Sequence, residues 1–189
     1  MEIGKTLYLT ERKAWRAWLS KHHGTAKDIW LIYPRKKTNK PRIPYNDAVE
    51  EALCFGWIDS IVKRVDEGSY AQRFSPRKSS KWSQPNIERM RRLIKLGKMT
   101  PAGLAVLKDP DLVIPEQRLK IALDILKALK ADKQTWTNFQ VFPSPYKRIR
   151  IAFIEDGRKR GEGEFHKRLQ NFLKKTKANK QFGFGGVPS

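Results

Sequence analysis

The spacing of apolar side chains divides the chain into two differently patterned halves. Residues 10–23, TERKAWRAWLSKHH, set Trp15, Trp18 and Leu19 at helical intervals behind a capping Thr10, and Gly24 marks the stop. Asp28 to Tyr33 is a dense run of β-branched and aromatic residues closed by Pro34, the pattern of a buried strand. A basic loop with three prolines, residues 34–44, leads into a helix over Tyr45–Phe55. Its apolar positions are Ala48, Val49, Ala52 and Leu53, and Gly56 lies just past its end. Trp57–Val65 and Tyr70–Phe74 read as paired strands around the turn Asp66-Glu67-Gly68-Ser69.

From Gln84 the period becomes helical. Ile87, Met90, Leu93 and Ile94 form a stripe opposite Arg91, Lys95 and Lys98, and Gly97 ends the helix. Thr100-Pro101 opens another, a cap followed by proline at the first position. Lys108–Pro115 reads as a linker, and Glu116–Ala131 as an amphipathic helix through Leu119, Leu123, Leu126 and Leu129. Phe139, Phe142 and Pro143 form an aromatic connector before two basic helices, Tyr146–Lys159 and Glu164–Lys177. The last residues, QFGFGGVPS, carry no packing pattern. The fold class expected is α+β: a small mixed or antiparallel sheet of about three strands with helices over residues 1–98, a helical region over 99–178 and a flexible tail over 179–189.

Composition sharpens this picture. Nine Phe, six Trp and five Tyr supply an aromatic core and exclude a disordered chain. The single cysteine, Cys54, permits no internal disulfide, which fits a reducing compartment. The N-terminus has no apolar signal core, and no run approaches the roughly 20 apolar residues that span a bilayer. The expectation is a cytoplasmic protein without membrane insertion.

Charge then sets the class of partner. The formal net charge is +21. Residues 56–98 carry 11 basic and 4 acidic side chains and residues 134–189 carry 12 and 4, whereas residues 99–133 carry 6 and 5. Two basic regions therefore flank a nearly neutral middle. Such a surface attracts polyanions, whether nucleic acid, anionic lipid headgroups or acidic proteins, and it equally serves as a solubilising coat.

Several segments carry candidate chemistry. In EEALCFGWIDS, residues 50–60, Cys54, Trp57 and Asp59 stand around a helix-to-strand turn and could line a pocket. A cysteine nucleophile needs a base, however, and His22, His23 and His166 lie in contexts that show no such pairing. Cys54 therefore reads as a core residue, no catalytic residue is assigned, and an enzyme with a pocket near Cys54, Trp57, Asp59 and Arg73 stays the lesser alternative. No cysteine or histidine spacing suits a metal, and no glycine pattern suits a nucleotide cofactor, so none of either is expected. In YAQRFSPRKSSKWS, residues 70–83, Arg73, Arg77, Lys78 and Lys81 alternate with Tyr70, Phe74 and Trp82. Cations that hold phosphate and rings that stack on bases make this the best polyanion-binding candidate, with Lys147, Arg148 and Arg150 as a second cluster. The same alternation also describes an ordinary amphipathic edge strand.

Three stretches together carry a resemblance. ALCFGWIDS at 52–60, YAQRFSPRKSSKWSQPNIERMRRLI at 70–94 and GKMTPAGLA at 97–105 resemble the YdeI/OmpD-associated family of bacteriocin-protection proteins. FPSPYKRIRIAFIEDGRKR at 142–160 is similar to that family's C-terminal helical segment, although Gly161-Glu162-Gly163 departs from the Thr/Arg-rich turn that usually follows. The resemblance implies a link to tolerance of antimicrobial peptides and no known reaction. Because most such peptides are cationic, a chain at +21 would act through an anionic intermediary. The expected function is thus a non-enzymatic binding protein engaging a polyanionic or protein partner. Non-specific nucleic-acid binding is the alternative.

Overall fold

A computed structural model describes residues 2–79, 81–107 and 119–183. The fold is α+β, and the chain forms two compact units. The first comprises residues 1–82 and 89–111, the second residues 83–88 and 112–189. The division passes through one helix and lies beyond the boundary expected at residue 98.

The first unit holds β1 (Thr6–Leu7), α1 (Arg12–His22), β2 (Ile29–Pro34), α2 (Tyr45–Cys54), β3 (Trp57–Arg64), β4 (Ser69–Pro76), most of α3 (Gln84–Lys95) and α4 (Pro101–Ala105). The sheet order is β1-β2-β4-β3. β1 runs parallel to β2, and the other two pairings are antiparallel. The expected hairpin is present, with Val65–Gly68 linking β3 to β4. The Asp66 carboxylate holds the turn by accepting from the Gly68 N–H at 2.6 Å. β1 is a fourth strand that the sequence pattern concealed, because two residues are too few to show alternation. α1 starts one residue after the expected Thr10 cap, from Glu11, with no side-chain cap bond.

Strand register explains the core. Ile29, Leu31 and Tyr33 stand opposite Phe74, Gln72 and Tyr70, and Asp59 stands opposite Phe74, so alternation puts all of them on one sheet face. That face meets α1 and α2. Trp15 lies edge-on to Phe74 at 5.4 Å between centroids, and its indole N–H donates to the Ala48 carbonyl at 3.0 Å. Trp57 meets Trp18 edge-on at 5.8 Å and donates to the His23 carbonyl at 3.1 Å. Trp15, Trp30 and Trp57 are fully buried, so these indoles are core material and their polar atoms are satisfied where needed.

Helix α4 packs onto the end of α2 at unusually close range. Thr100 caps α4 by accepting from the Gly103 N–H, and its own hydroxyl and N–H both donate to the Cys54 carbonyl, at 2.6 and 3.0 Å. A Cβ on Gly103 would stand 2.2 Å from that carbonyl oxygen. Gly56, at φ +74°, faces the Ala102 carbonyl from the other side. The motifs CFGW and TPAG are thus two halves of one contact.

The second unit contains α5 (Leu123–Lys130), α6 (Lys133–Val141), α7 (Ser144–Arg158) and α8 (Glu162–Lys177). Its core is Ile125, Leu129, Phe139, Ile151, Ile154, Phe165, Leu169 and Phe172. Two expectations change here. The helix read over Glu116–Ala131 begins only at Leu123, with Ala122 extended; Leu119 and Ile121 reach the core from non-helical chain, and residues 116–118 lie outside the described residues. The aromatic connector is largely a helix, α6, because Asp132 caps it by accepting from the Thr135 N–H at 2.8 Å. Thr135, Thr137 and Asn138, weak helix formers, had masked it. The Lys108–Pro115 linker and the tail from Phe184 onward also lie outside the described residues. Among the described residues no helix is long and apolar enough to cross a membrane.

The α2–α4 contact yields a first test. Gly103→Ala must push two backbones apart, so equilibrium unfolding should show a loss of roughly 3 kcal/mol. An unchanged midpoint would mean that this contact is loose in solution.

Candidate functional site

The residues EEALCFGWIDS do not converge on one pocket. Cys54 is buried, and its thiol is pushed up to about 11 by burial first and by Glu51 second, against the lowering effect of Arg16. No imidazole is among these influences. Trp57 fills the core. Asp59 belongs to a different cluster, where it accepts from the Tyr45 hydroxyl at 2.6 Å. Arg73, the fourth residue of that lesser alternative, is on the opposite sheet face and donates twice to Asp28 Oδ2, at 3.0 and 2.7 Å. Among the described residues no group of three or more His, Cys, Asp or Glu gathers as for a metal ion.

The basic segment divides according to its partners. Arg73 is neutralised by Asp28. Arg77 is half-buried: its guanidinium lies 3.7 Å from the Trp82 ring centroid and donates to the Lys81 carbonyl. Its Nε is buried with no hydrogen-bond partner among the described residues, and burial lowers its proton affinity with no carboxylate among them offsetting it. Lys78 and Lys81 are exposed on either side of this stack. The stack thus orders the chain after β4 and presents two ammonium groups to solvent.

The second cluster is mostly committed within its own unit. Arg148 is buried and forms a two-pronged pair with Glu88, both bonds 2.7 Å. Arg150 is buried with its guanidinium 4.8 Å from the Phe153 ring centroid and 4.2 Å from that of Phe182. Lys147 donates to the Gln140 carbonyl at 2.9 Å. These three side chains hold α7 in place.

A polar cluster that the sequence reading did not single out lies at one end of the sheet face under α2. Tyr33 and Tyr70 are paired across β2 and β4 with rings nearly parallel, 5.4 Å apart. The Tyr33 hydroxyl is buried and has no hydrogen-bond partner among the described residues. Arg42 donates to the Pro34 carbonyl at 2.8 Å and reaches the Tyr70 hydroxyl at 3.5 Å. Tyr45, on the first turn of α2, donates to Asp59, and Arg89 donates to Asn46 Oδ1 at 3.1 Å. Gln72, also buried, extends the polar cluster toward Ile61, to whose carbonyl its amide donates at 3.5 Å. Burial, followed by the negative influence of Tyr70, Tyr45 and Asp59, holds the Tyr33 phenol well above its ordinary range. Burial and the Asp59 hydrogen bond do the same for Tyr45. Both phenols are therefore neutral donors at physiological pH. The available signal was polarity in the wrong place: Tyr33, Tyr70 and Gln72 occupy inward positions of otherwise apolar strands.

On the other sheet face, Tyr8, Ile32, Pro34, Thr38, Lys40, Asp66, Gly68 and Ser69 line an open cleft of about 350 Å³.

The state of Cys54 is directly measurable. A buried thiol with its pKa near 11 is protonated and shielded at neutral pH, so the native protein should react with a thiol reagent far more slowly than the unfolded chain. Fast stoichiometric labelling before unfolding would contradict the burial and restore a nucleophilic role.

Residues 7–106 match a family described as a domain of unknown function, DUF8412. No curated protein and no solved structure matches the chain. The matched stretch includes the polar cluster around Tyr33, the α2–α4 contact and the Arg77–Trp82 stack, and it excludes Lys147, Arg148 and Arg150. The chain therefore belongs to the DUF8412 family.

Proposed function

We propose that this chain is a non-enzymatic binding protein that engages a polyanionic partner, with Arg77, Lys78, Lys81 and Trp82 at the centre of the contact. The observation that carries this reading is the half-buried Arg77 guanidinium, which no carboxylate neutralises among the described residues. A desolvated cation of this kind is stabilised by an anion arriving from outside. The division of labour between the basic residues supports the same reading. Arginines hold the carboxylates: Arg12, Arg16, Arg73, Arg92, Arg148 and Arg168 all stand in ion pairs. Lys13, Lys21, Lys27, Lys36, Lys37, Lys78, Lys81, Lys95 and Lys98 are exposed. The net charge of +21 is thus displayed chiefly by solvated lysines.

Nucleic acid is the partner class this chemistry fits best, since Trp82 offers a ring and the lysines offer phosphate contacts. The resemblance to bacteriocin-protection proteins would then place the partner upstream of peptide tolerance, as the anionic intermediary.

A salt series with a short oligonucleotide tests the proposal. The logarithm of affinity should fall linearly with the logarithm of salt, and Lys78→Gln with Lys81→Gln should make the slope shallower by about 2. Those positions are exposed, so folding is preserved. An unchanged slope and affinity would mean that this segment is only solvated surface.

A further inference from the structure

Resting on the polyanion reading above, we propose that Trp82 is a stacking platform for one unpaired base, so that the partner is single-stranded rather than duplex nucleic acid. Lys78 and Lys81 hold the phosphates on either side of that base.

Trp82 is the tryptophan that the core does not use. Trp15, Trp30 and Trp57 are fully buried, Trp18 stacks on Trp15 at 5.3 Å between centroids, and Trp136 stacks on Phe139 at 5.8 Å. Trp82 is half-exposed and lies outside the helices and strands. The Arg77 guanidinium covers one face of its indole at 3.7 Å, and among the described residues no second cation and no other ring stacks against it. The fold therefore orders this ring without filling the core with it.

The ring is held before any ligand arrives. The Arg77 N–H donates to the Gly56 carbonyl at 2.9 Å, its guanidinium donates to the Lys81 carbonyl, and the Lys81 N–H donates to Ser79 Oγ at 3.2 Å. A base landing on Trp82 thus costs little further ordering of the protein. The surroundings select an anion that carries a flat ring. No acidic residue stands between Glu67 and Glu88 in the sequence, and Lys78 and Lys81 are exposed. Arg77 lies beneath the ring with its Nε buried, so the phosphate contacts fall to the two lysines. In a duplex both faces of a base are covered by its neighbours, whereas an unpaired base has a face to give.

The test measures binding of labelled oligothymidylate, of an abasic strand of the same length, and of a duplex with the same number of phosphates, to wild type and Trp82→Leu. The probes match in phosphate number, which separates stacking from attraction to a basic surface. Wild type should bind oligothymidylate about tenfold more tightly than either other probe, and Trp82→Leu should lose that preference with its salt slope unchanged. An oligouridylate arm distinguishes RNA from DNA as the source of the strand. Equal affinity for all three probes with a steep salt dependence would overturn the platform and leave the polyanion reading standing. Absence of binding to every probe would overturn both. A preference retained by Trp82→Leu would put the stacking elsewhere and overturn the platform as well. If Trp82→Leu fails to fold, photocross-linking of an iodouracil-substituted strand to wild type decides the matter: attachment at Trp82 supports the platform, and attachment only at other residues overturns it.

Discussion

The first unit depends on two adjacent buried glutamates. Glu50 and Glu51 lie on the inner side of α2 and are almost wholly removed from water. Glu51 accepts from Arg12 Nε and Arg16 Nη1, both at 2.6 Å, while Glu50 pairs with Arg12 at 3.1 Å and with Arg92. Burying two carboxylates is costly unless each is hydrogen-bonded to a fixed cation. Here Arg12 and Arg16 from α1 and Arg92 from α3 meet that requirement, so one network ties three helices together. Asp47 extends it at 2.9 Å from Arg12. The planar, weakly hydrated guanidinium suits this task, and the strongly hydrated ammonium does not.

The surface follows from that internal arrangement. Because arginines take up the acidic side chains, few carboxylates remain to neutralise the lysines. The same rule holds in the second unit, where Glu88 meets Arg148, Glu164 meets Arg168 and Asp124 meets Arg158. Arg77 and Arg150 depart from it: each guanidinium lies against aromatic rings, with no carboxylate paired to it among the described residues. Arg150 is buried within the second unit, whereas Arg77 is half-buried between two exposed lysines, which is why it stands at the centre of the proposed contact.

The helices with full apolar stripes and the aromatic strands were legible in the sequence, as was the hairpin, because each rests on local periodicity and turn chemistry. β1 was not, since its identity comes from pairing with β2 rather than from its two residues. α6 was hidden by threonines whose local preference is overridden by the Asp132 cap and by Phe139 in the core. Of the site residues, the Arg77–Trp82 stretch could be found because cations and rings alternate in sequence. The polar cluster around Tyr33 was announced only by Tyr33, Tyr70 and Gln72 at inward strand positions, because Arg42, Tyr45, Asp59 and Arg89 join it from separate elements and loops. Glu50 and Glu51 read as an ordinary acidic pair on a helix, and nothing local announces that both point inward. Of the three stretches that carry the resemblance, the first and the last contain CFGW and TPAG, which meet in one packing contact around Gly56 and Gly103.

The central claim is that arginine-clamped buried carboxylates hold the first unit together. Equilibrium unfolding of Glu51→Gln, compared with Glu67→Gln in the exposed turn, tests it most directly. The clamp predicts a loss of about 2–4 kcal/mol for Glu51→Gln, because two partly buried guanidinium groups lose their counter-charge, and almost none for Glu67→Gln. Equal unfolding midpoints for the two variants would contradict it.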